Sequence, residues 1–124
     1  MRDLFSFQSL IVWQQARSLV KQTYLLMRKF PAEEKFAMCD QLRRAVTSIP
    51  TNLAEGTSRE SLKEKVRFVE ISYGSLCEVY NLLILALDLG YIGEQELNHM
   101  EDEIESTAKM LSKLRCDYSS RISN

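Results

Sequence analysis

The only histidine of the chain stands in Glu96-Leu-Asn-His99. Glu-x-x-His on a helix is the spacing that di-iron bundles use, because positions i and i+3 point both ligands inward. Such a site needs a second motif and two further carboxylates. Here Leu97 and Met100 hold the inward positions beside the motif, so a solvated histidine is expected and no metal. A Cys/His hydrolase would need a thiol close to His99. Cys39 falls at the right end of the predicted bundle, but nothing supplies an oxyanion hole. Gly90-x-x-Gly93 is a lone glycine pair, far from a phosphate loop. These residues point to no enzyme and no cofactor.

The best site candidate is a polar stripe. Gln41, Arg44, Ser48, Asn52, Glu55 and Arg59 recur at three- and four-residue spacing beside an apolar stripe of Leu42, Ala45, Val46, Ile49 and Leu53. As a recognition surface, Arg43, Arg44 and Arg59 would meet phosphates or carboxylates, while Gln41 and Asn52 make directional hydrogen bonds. Lys63 and Lys65 extend that basic set, with Arg17 and Lys21 as further contributors. As structure, Arg44 would pair with Glu70 or Glu78, Glu55 with Arg59, and Asn52 would mend the backbone gap left by Pro50. The structural or interface reading is favoured. Trp13, Tyr24 and Met27 form either a platform for bases or, as helical spacing suggests, part of the core.

The elements that position these residues are helices. They are expected at about 7–30, 33–58, 61–89 and 94–119. The first buries Leu10, Trp13, Ala16, Val20, Tyr24 and Met27, and ends at Phe30-Pro31 because proline disfavours helical geometry in the residue before it. The second starts with Glu33 and Glu34, which suit the positive end of the helix dipole. Pro50 should kink it near Val46 or Thr47, whose carbonyls lose or strain a partner. The third starts at the capping-box pattern Ser61-Leu-Lys-Glu64 and stops at Gly90. Its stripe is broad, from Val69, Tyr73, Leu76, Tyr80, Leu83 and Leu87 to Phe68, Ile71, Val79, Leu82 and Ala86, which implies burial on more than one side. Gly74 and Ser75 are expected to permit close backbone approach. The fourth buries Leu97, Met100, Ile104, Ala108, Leu111, Leu114 and Tyr118. Short loops such as Pro31-Ala32 force antiparallel neighbours, so the fold class is all-α, an up-down-up-down antiparallel four-helix bundle, in one domain spanning 1–124.

With 45% hydrophobic and 27% charged residues the composition is that of an ordinary soluble domain. No apolar run approaches the ~20 residues of a membrane span, and Met1-Arg-Asp-Leu-Phe-Ser-Phe lacks the apolar core of a signal peptide. Cys39, Cys77 and Cys116 are odd in number and far apart, so reduced thiols in a cytoplasmic protein are expected. The net charge of −1 hides an asymmetry: residues 1–67 hold 12 Lys+Arg against 7 Asp+Glu, and residues 68–124 hold 4 against 10. Opposite charges can pair within one bundle, between copies, or leave one basic side for a polyanion.

Val12-Trp13-Gln14-Gln15-Ala16, Leu19-Val20, Tyr24, Phe30-Pro31, Glu34, Gln41-Leu42-Arg43-Arg44-Ala45, Ser48-Ile49-Pro50-x-Asn52-Leu53-Ala54-Glu55-Gly56, Arg59 and Gly74-Ser75-Leu76-x-Glu78 together resemble a family of small bacterial four-helix-bundle proteins. Some of its members are encoded in intervening sequences of large-subunit ribosomal RNA genes. A related branch is the accessory variability determinant protein of diversity-generating retroelements. The resemblance covers nearly the whole chain and is weakest after Gly93. It implies a four-helix bundle that assembles as a homopentamer around a central channel, and a role with nucleic acid. The expectation is therefore a non-enzymatic homopentameric scaffold. The alternative is binding of structured RNA or DNA through Arg43, Arg44, Arg59, Lys63 and Lys65. Gln41, Ser48, Asn52 and Glu55 serve as a structural stripe, and no membrane or small-molecule partner is expected.

Overall fold

The computed structural model describes residues 1–122. Four long helices follow one another: α1 (Ile11–Met27), α2 (Met38–Thr57), α3 (Leu62–Asp88) and α4 (Glu94–Ile122). Each packs on its neighbours, α2 on α3 most extensively and α1 on α4 least, which is the up-down-up-down bundle expected from the sequence. At 1.5 Å per residue α3 is about 40 Å long. Fully buried Leu19, Leu42, Ile49, Leu83 and Leu111 fill the interior.

Local chemistry sets the ends. The Ser61 hydroxyl accepts from the Glu64 amide at 3.3 Å and starts α3. At the far end Gly90 adopts φ +78°, the Tyr91 amide donates to the Ala86 carbonyl at 2.9 Å, and the Gly90 amide to Leu87 at 3.0 Å. This is the crossed pair of bonds by which a left-handed residue closes a helix. Lys65 reaches back to donate to the Thr57 carbonyl at 2.8 Å and so finishes α2.

Four boundaries differ from expectation, the first being the end of α1, which stops at Met27 with a turn before Pro31 rather than at Phe30. Residues 6–9 form a 3-10 turn before α1, held by the Gln8 carboxamide oxygen accepting from Leu4 and Phe5 amides at 2.7 and 3.0 Å. The acidic pair Glu33 and Glu34 sits in a second 3-10 turn, Ala32–Glu34, and α2 begins only at Met38. The α1–α2 connection is accordingly longer than Pro31-Ala32. It is tied down by Arg43, which donates to the Lys35 carbonyl at 2.9 Å, and by Tyr91, whose hydroxyl donates to Glu34 at 3.0 Å. Finally, α4 continues to Ile122.

The helix α2 runs on through Pro50 without interruption. Asn52 does not mend the proline gap: its amide donates to the Ser48 carbonyl and hydroxyl, both at 2.8 Å, rather than to Val46. Tyr24 and Tyr73, read as core, are 41% exposed each. Their places in the interior fall to the residues just before them, Thr23 and Ser72, which are fully buried, as is Thr107 of α4. The hydroxyls of Thr23 and Thr107 fold back on carbonyls four residues earlier, and Ser72 donates to the Ile49 carbonyl at 3.0 Å. Their polar atoms are thus satisfied inside. By length and composition alone α3 resembles a membrane-crossing helix, as the core helix of a bundle can. Its buried side, from Phe68 to Ala86, instead forms the core seam with α2 and α4.

Two glycines separate closeness from openness. A Cβ on Gly56 would stand 2.8 Å from the Cβ of Phe68, so α2 and α3 touch there as only glycine allows. A Cβ on Gly74 would meet nothing within 4 Å. The expected close approach belongs to Ser75 alone, whose hydroxyl lies 2.9 Å from that of Ser48.

Candidate functional site

The polar stripe of α2 divides into two parts. Ser48 and Asn52 face α3 and, with Ser75, make a small hydrogen-bonded network in the seam between the helices. Their role is to join α2 to α3. Gln41, Arg44, Glu55 and Arg59 lie exposed. Arg44 pairs within its own helix with Asp40 at 3.9 Å, and not with Glu70 or Glu78. Glu70 instead holds Arg115 of α4 at 2.9 Å. Arg59 pairs with Glu55 at 3.9 Å, as expected, and lies 4.9 Å from the Phe68 ring centre.

The five basic residues proposed for nucleic acid do not form one patch. Arg43 and Arg44 stand at the start of α2, whereas Arg59, Lys63 and Lys65 lie beyond its end, roughly 24 Å away at helical rise. Three of the five already hold structural contacts: Arg43 on Lys35, Arg59 on Phe68, and Lys65 on Thr57 and, at 5.9 Å, on the Tyr118 ring. Arg44 and Lys63 remain exposed.

Trp13 belongs to neither a full core nor a bare platform. Phe7 of the N-terminal turn meets it edge-on at 5.0 Å and Arg17 lies over it at 5.5 Å. Together with Val20, Pro50 and Ala54 these rings line an open groove of about 510 Å³ between α1 and α2, with Glu55 at its border. The half-buried Pro50 presents its ring there. Proline in mid-helix thus contributes an apolar wall to the surface.

A second groove, about 400 Å³, lies between α1 and α4 over Leu26 and Met100. Two polar links cross it, Lys29 to Glu96 and His99 to Gln22 at 2.8 Å. The Lys29 ammonium, helped by the Gly93 amide, holds the Glu96 carboxyl below the usual carboxylate range. Glu96 and His99 are therefore engaged separately, by Lys29 just beyond α1 and by Gln22 on α1. Among the described residues no three of the His, Cys, Asp and Glu side chains are disposed to hold one metal ion.

The feature that single residues did not single out is the outward face of α3. Ile71, Tyr73, Ile84 and Leu85 are 37–41% exposed there, beside exposed Gly74, Cys77 and Asn81. The breadth of the apolar pattern was its signal in the sequence. The bundle uses only one side of that pattern.

Comparison with known proteins agrees with this architecture. The sequence profile of a family described as 23S rRNA-intervening sequence protein matches residues 8–113. A crystal structure from Bacteroides thetaiotaomicron VPI-5482, described as a protein with unknown function from the S23 ribosomal protein family, superposes with a TM-score of 0.78. It is 21% identical, and the match covers 85% of this chain and 98% of that one. No curated protein matches the chain. Neither description names an enzymatic activity.

Proposed function

The chain belongs to the family of 23S rRNA-intervening sequence proteins, and from that premise we propose that it is a non-enzymatic, cytoplasmic scaffold that works as a homo-oligomer. Five copies is the number implied by the sequence resemblance. The observation that carries this reading is the outward face of α3. A long helix that is apolar on its core side and again on its solvent side has more apolar surface than one bundle buries. Gly74 strengthens it, since a mid-helix glycine costs about 1 kcal/mol against alanine and no contact inside this chain needs it.

A second reading, binding of structured RNA or DNA, rests on α1. Arg17, Lys21 and Arg28 are exposed and have no carboxylate partner among the described residues. The family description and the ribosomal association in the name of the structural relative favour that partner class. Against it stands the separation of Arg43 and Arg44 from Arg59, Lys63 and Lys65.

Light scattering of the pure protein, with and without a mixed pool of cellular RNA at low and high salt, tests both readings. A discrete multiple of 14.4 kDa that ignores RNA is the expected result. A strictly monomeric species at micromolar concentration would refute the scaffold. Gain of mass with RNA at low salt alone would establish the second reading.

A further inference from the structure

We infer that the outward face of α3 docks on the α1/α2 face of a second copy, so that the self-contact is head-to-tail between two different surfaces. This rests on the homo-oligomer reading and specifies its geometry.

The charges are segregated to a degree that one bundle does not use. Residues 4–32 contain four Lys+Arg and no Asp or Glu, and residues 68–108 contain nine Asp+Glu and no Lys or Arg. Mixed signs are the ordinary state of a soluble surface. Among the described residues the two blocks form an ion pair only at Lys29–Glu96. The cations of the outer side of α1, Arg17, Lys21 and Arg28, find no carboxylate among the described residues. Neither do Glu78 and Asp88 on the outer side of α3 find a base. Each surplus lies on an exposed helix face and points away from the other.

Apolar surface accompanies each surplus. On α3, Ile71 and Leu85 run along one edge of the outward face with Glu78 on the same line, and Tyr73 and Ile84 along the other, with Gly74, Asn81, Asp88 and the Arg115-paired Glu70 between them. On α1/α2, the groove of Trp13, Val20, Pro50 and Ala54 has Arg17 at its border, and Lys21 stands one turn further along α1. Glu55, the one acid lining that groove, is paired with Arg59 at 3.9 Å. A face whose apolar edges enclose unpaired acids and a basic-edged apolar groove are complementary, whereas either face against its own copy would oppose like charges. Contact between unlike faces leaves each copy with one face free for the next, and closes into a ring if the rotation allows.

The test is charge exchange. Arg17→Glu with Lys21→Glu, and separately Glu78→Lys with Asp88→Lys, should each lower the mass by light scattering, with helix content by circular dichroism unchanged. Placing all four substitutions in one chain should restore it, because the reversed faces then match at every contact. Where reversal costs folding, the neutral pair Arg17→Gln and Lys21→Gln should raise the dissociation constant roughly tenfold at low salt. An oligomeric wild type whose mass ignores these substitutions, or a fourfold variant that does not recover, would overturn the docking faces while leaving self-assembly standing. A wild type that is monomeric overturns both, and one that then gains mass with RNA assigns the basic face to nucleic acid.

Discussion

Replacing Gly56 and Gly74 separately by alanine gives the same chemical change in two environments. Both glycines lie inside helices, so both variants gain the helix propensity of alanine, about 1 kcal/mol. At Gly74 nothing opposes the gain, since the new methyl meets no atom within 4 Å. At Gly56 the methyl would lie 2.8 Å from the Phe68 Cβ, against an ordinary carbon contact of about 3.5–4.0 Å. A Cβ cannot rotate away, so α2 and α3 must part by several tenths of an ångström along their most extensive contact, an overpacking cost of about 1–3 kcal/mol. The propensity gain cancels in the difference between the two variants, which isolates the steric cost. Urea unfolding followed by circular dichroism, in a chain that also carries Arg17→Glu and Lys21→Glu to remove self-association, should place Gly74→Ala above its parent by roughly 0.5–1 kcal/mol. Gly56→Ala should fall below Gly74→Ala by about 1–3 kcal/mol with an unchanged denaturant slope. Equal stability of the two variants would refute the close approach of α2 and α3 at this point.

Ser72→Ala should cost about 1 kcal/mol in the same assay, because it removes a fully buried hydroxyl that bonds the Ile49 carbonyl across the seam; a neutral result would mean the bond adds nothing. The lowered carboxyl of Glu96 makes stability present above the ordinary glutamate range, near 4.3, and lost as pH falls through its own lower value. Glu96→Gln should therefore flatten the acid limb of a melting-temperature profile, and an unaltered limb would count against the Lys29 link. The hydrogen bond to Glu101 pushes the Tyr80 phenol above its usual range, so Glu101→Gln should bring one tyrosine to a lower midpoint in a spectrophotometric titration. No movement would show that the two groups are apart in solution. Lys65→Ala should fray the end of α2, read as faster amide exchange near Thr57 and tested against Lys63→Ala, which touches no carbonyl there.

The bundle was legible in the sequence because periodicity reports burial directly. The apolar stripe of α2, Leu42 to Leu53, is buried as expected, and Ser61 and Gly90 mark the ends of α3 by side-chain and backbone rules that act locally. Glu33-Glu34 misled because acid in a first turn suits a 3-10 turn as well as an α-helix. The turn before Met38 is held by a contact, Arg43 on the Lys35 carbonyl, that sequence spacing does not announce. Thr23, Ser72 and Thr107 were passed over because a hydroxyl reads as polar until its bond to a nearby carbonyl is seen. The polar stripe divided for a related reason. Periodicity places Ser48 and Arg44 on one side of α2, but only the neighbouring helix decides that the first lies against Ser75 and the second in water. The outward face of α3 was visible as breadth of pattern, and the residues composing it emerged once α2 and α4 had taken their share.

The unequal seams of the bundle carry a consequence for the order in which the chain is made. The α2–α3 pair is joined by a short connection and is complete once Asp88 has been synthesised. The α1–α4 seam needs residues as far apart as Gln15 and Glu103, 88 positions in sequence. Closing so long a loop is slower than pairing neighbours, and its contacts are the least extensive in the fold. On the ribosome, then, α1 waits with Val12, Leu19 and Leu26 covered on the α2 side alone until α4 emerges. By the same reasoning, amide exchange in the finished molecule is expected to begin along this least extensive seam.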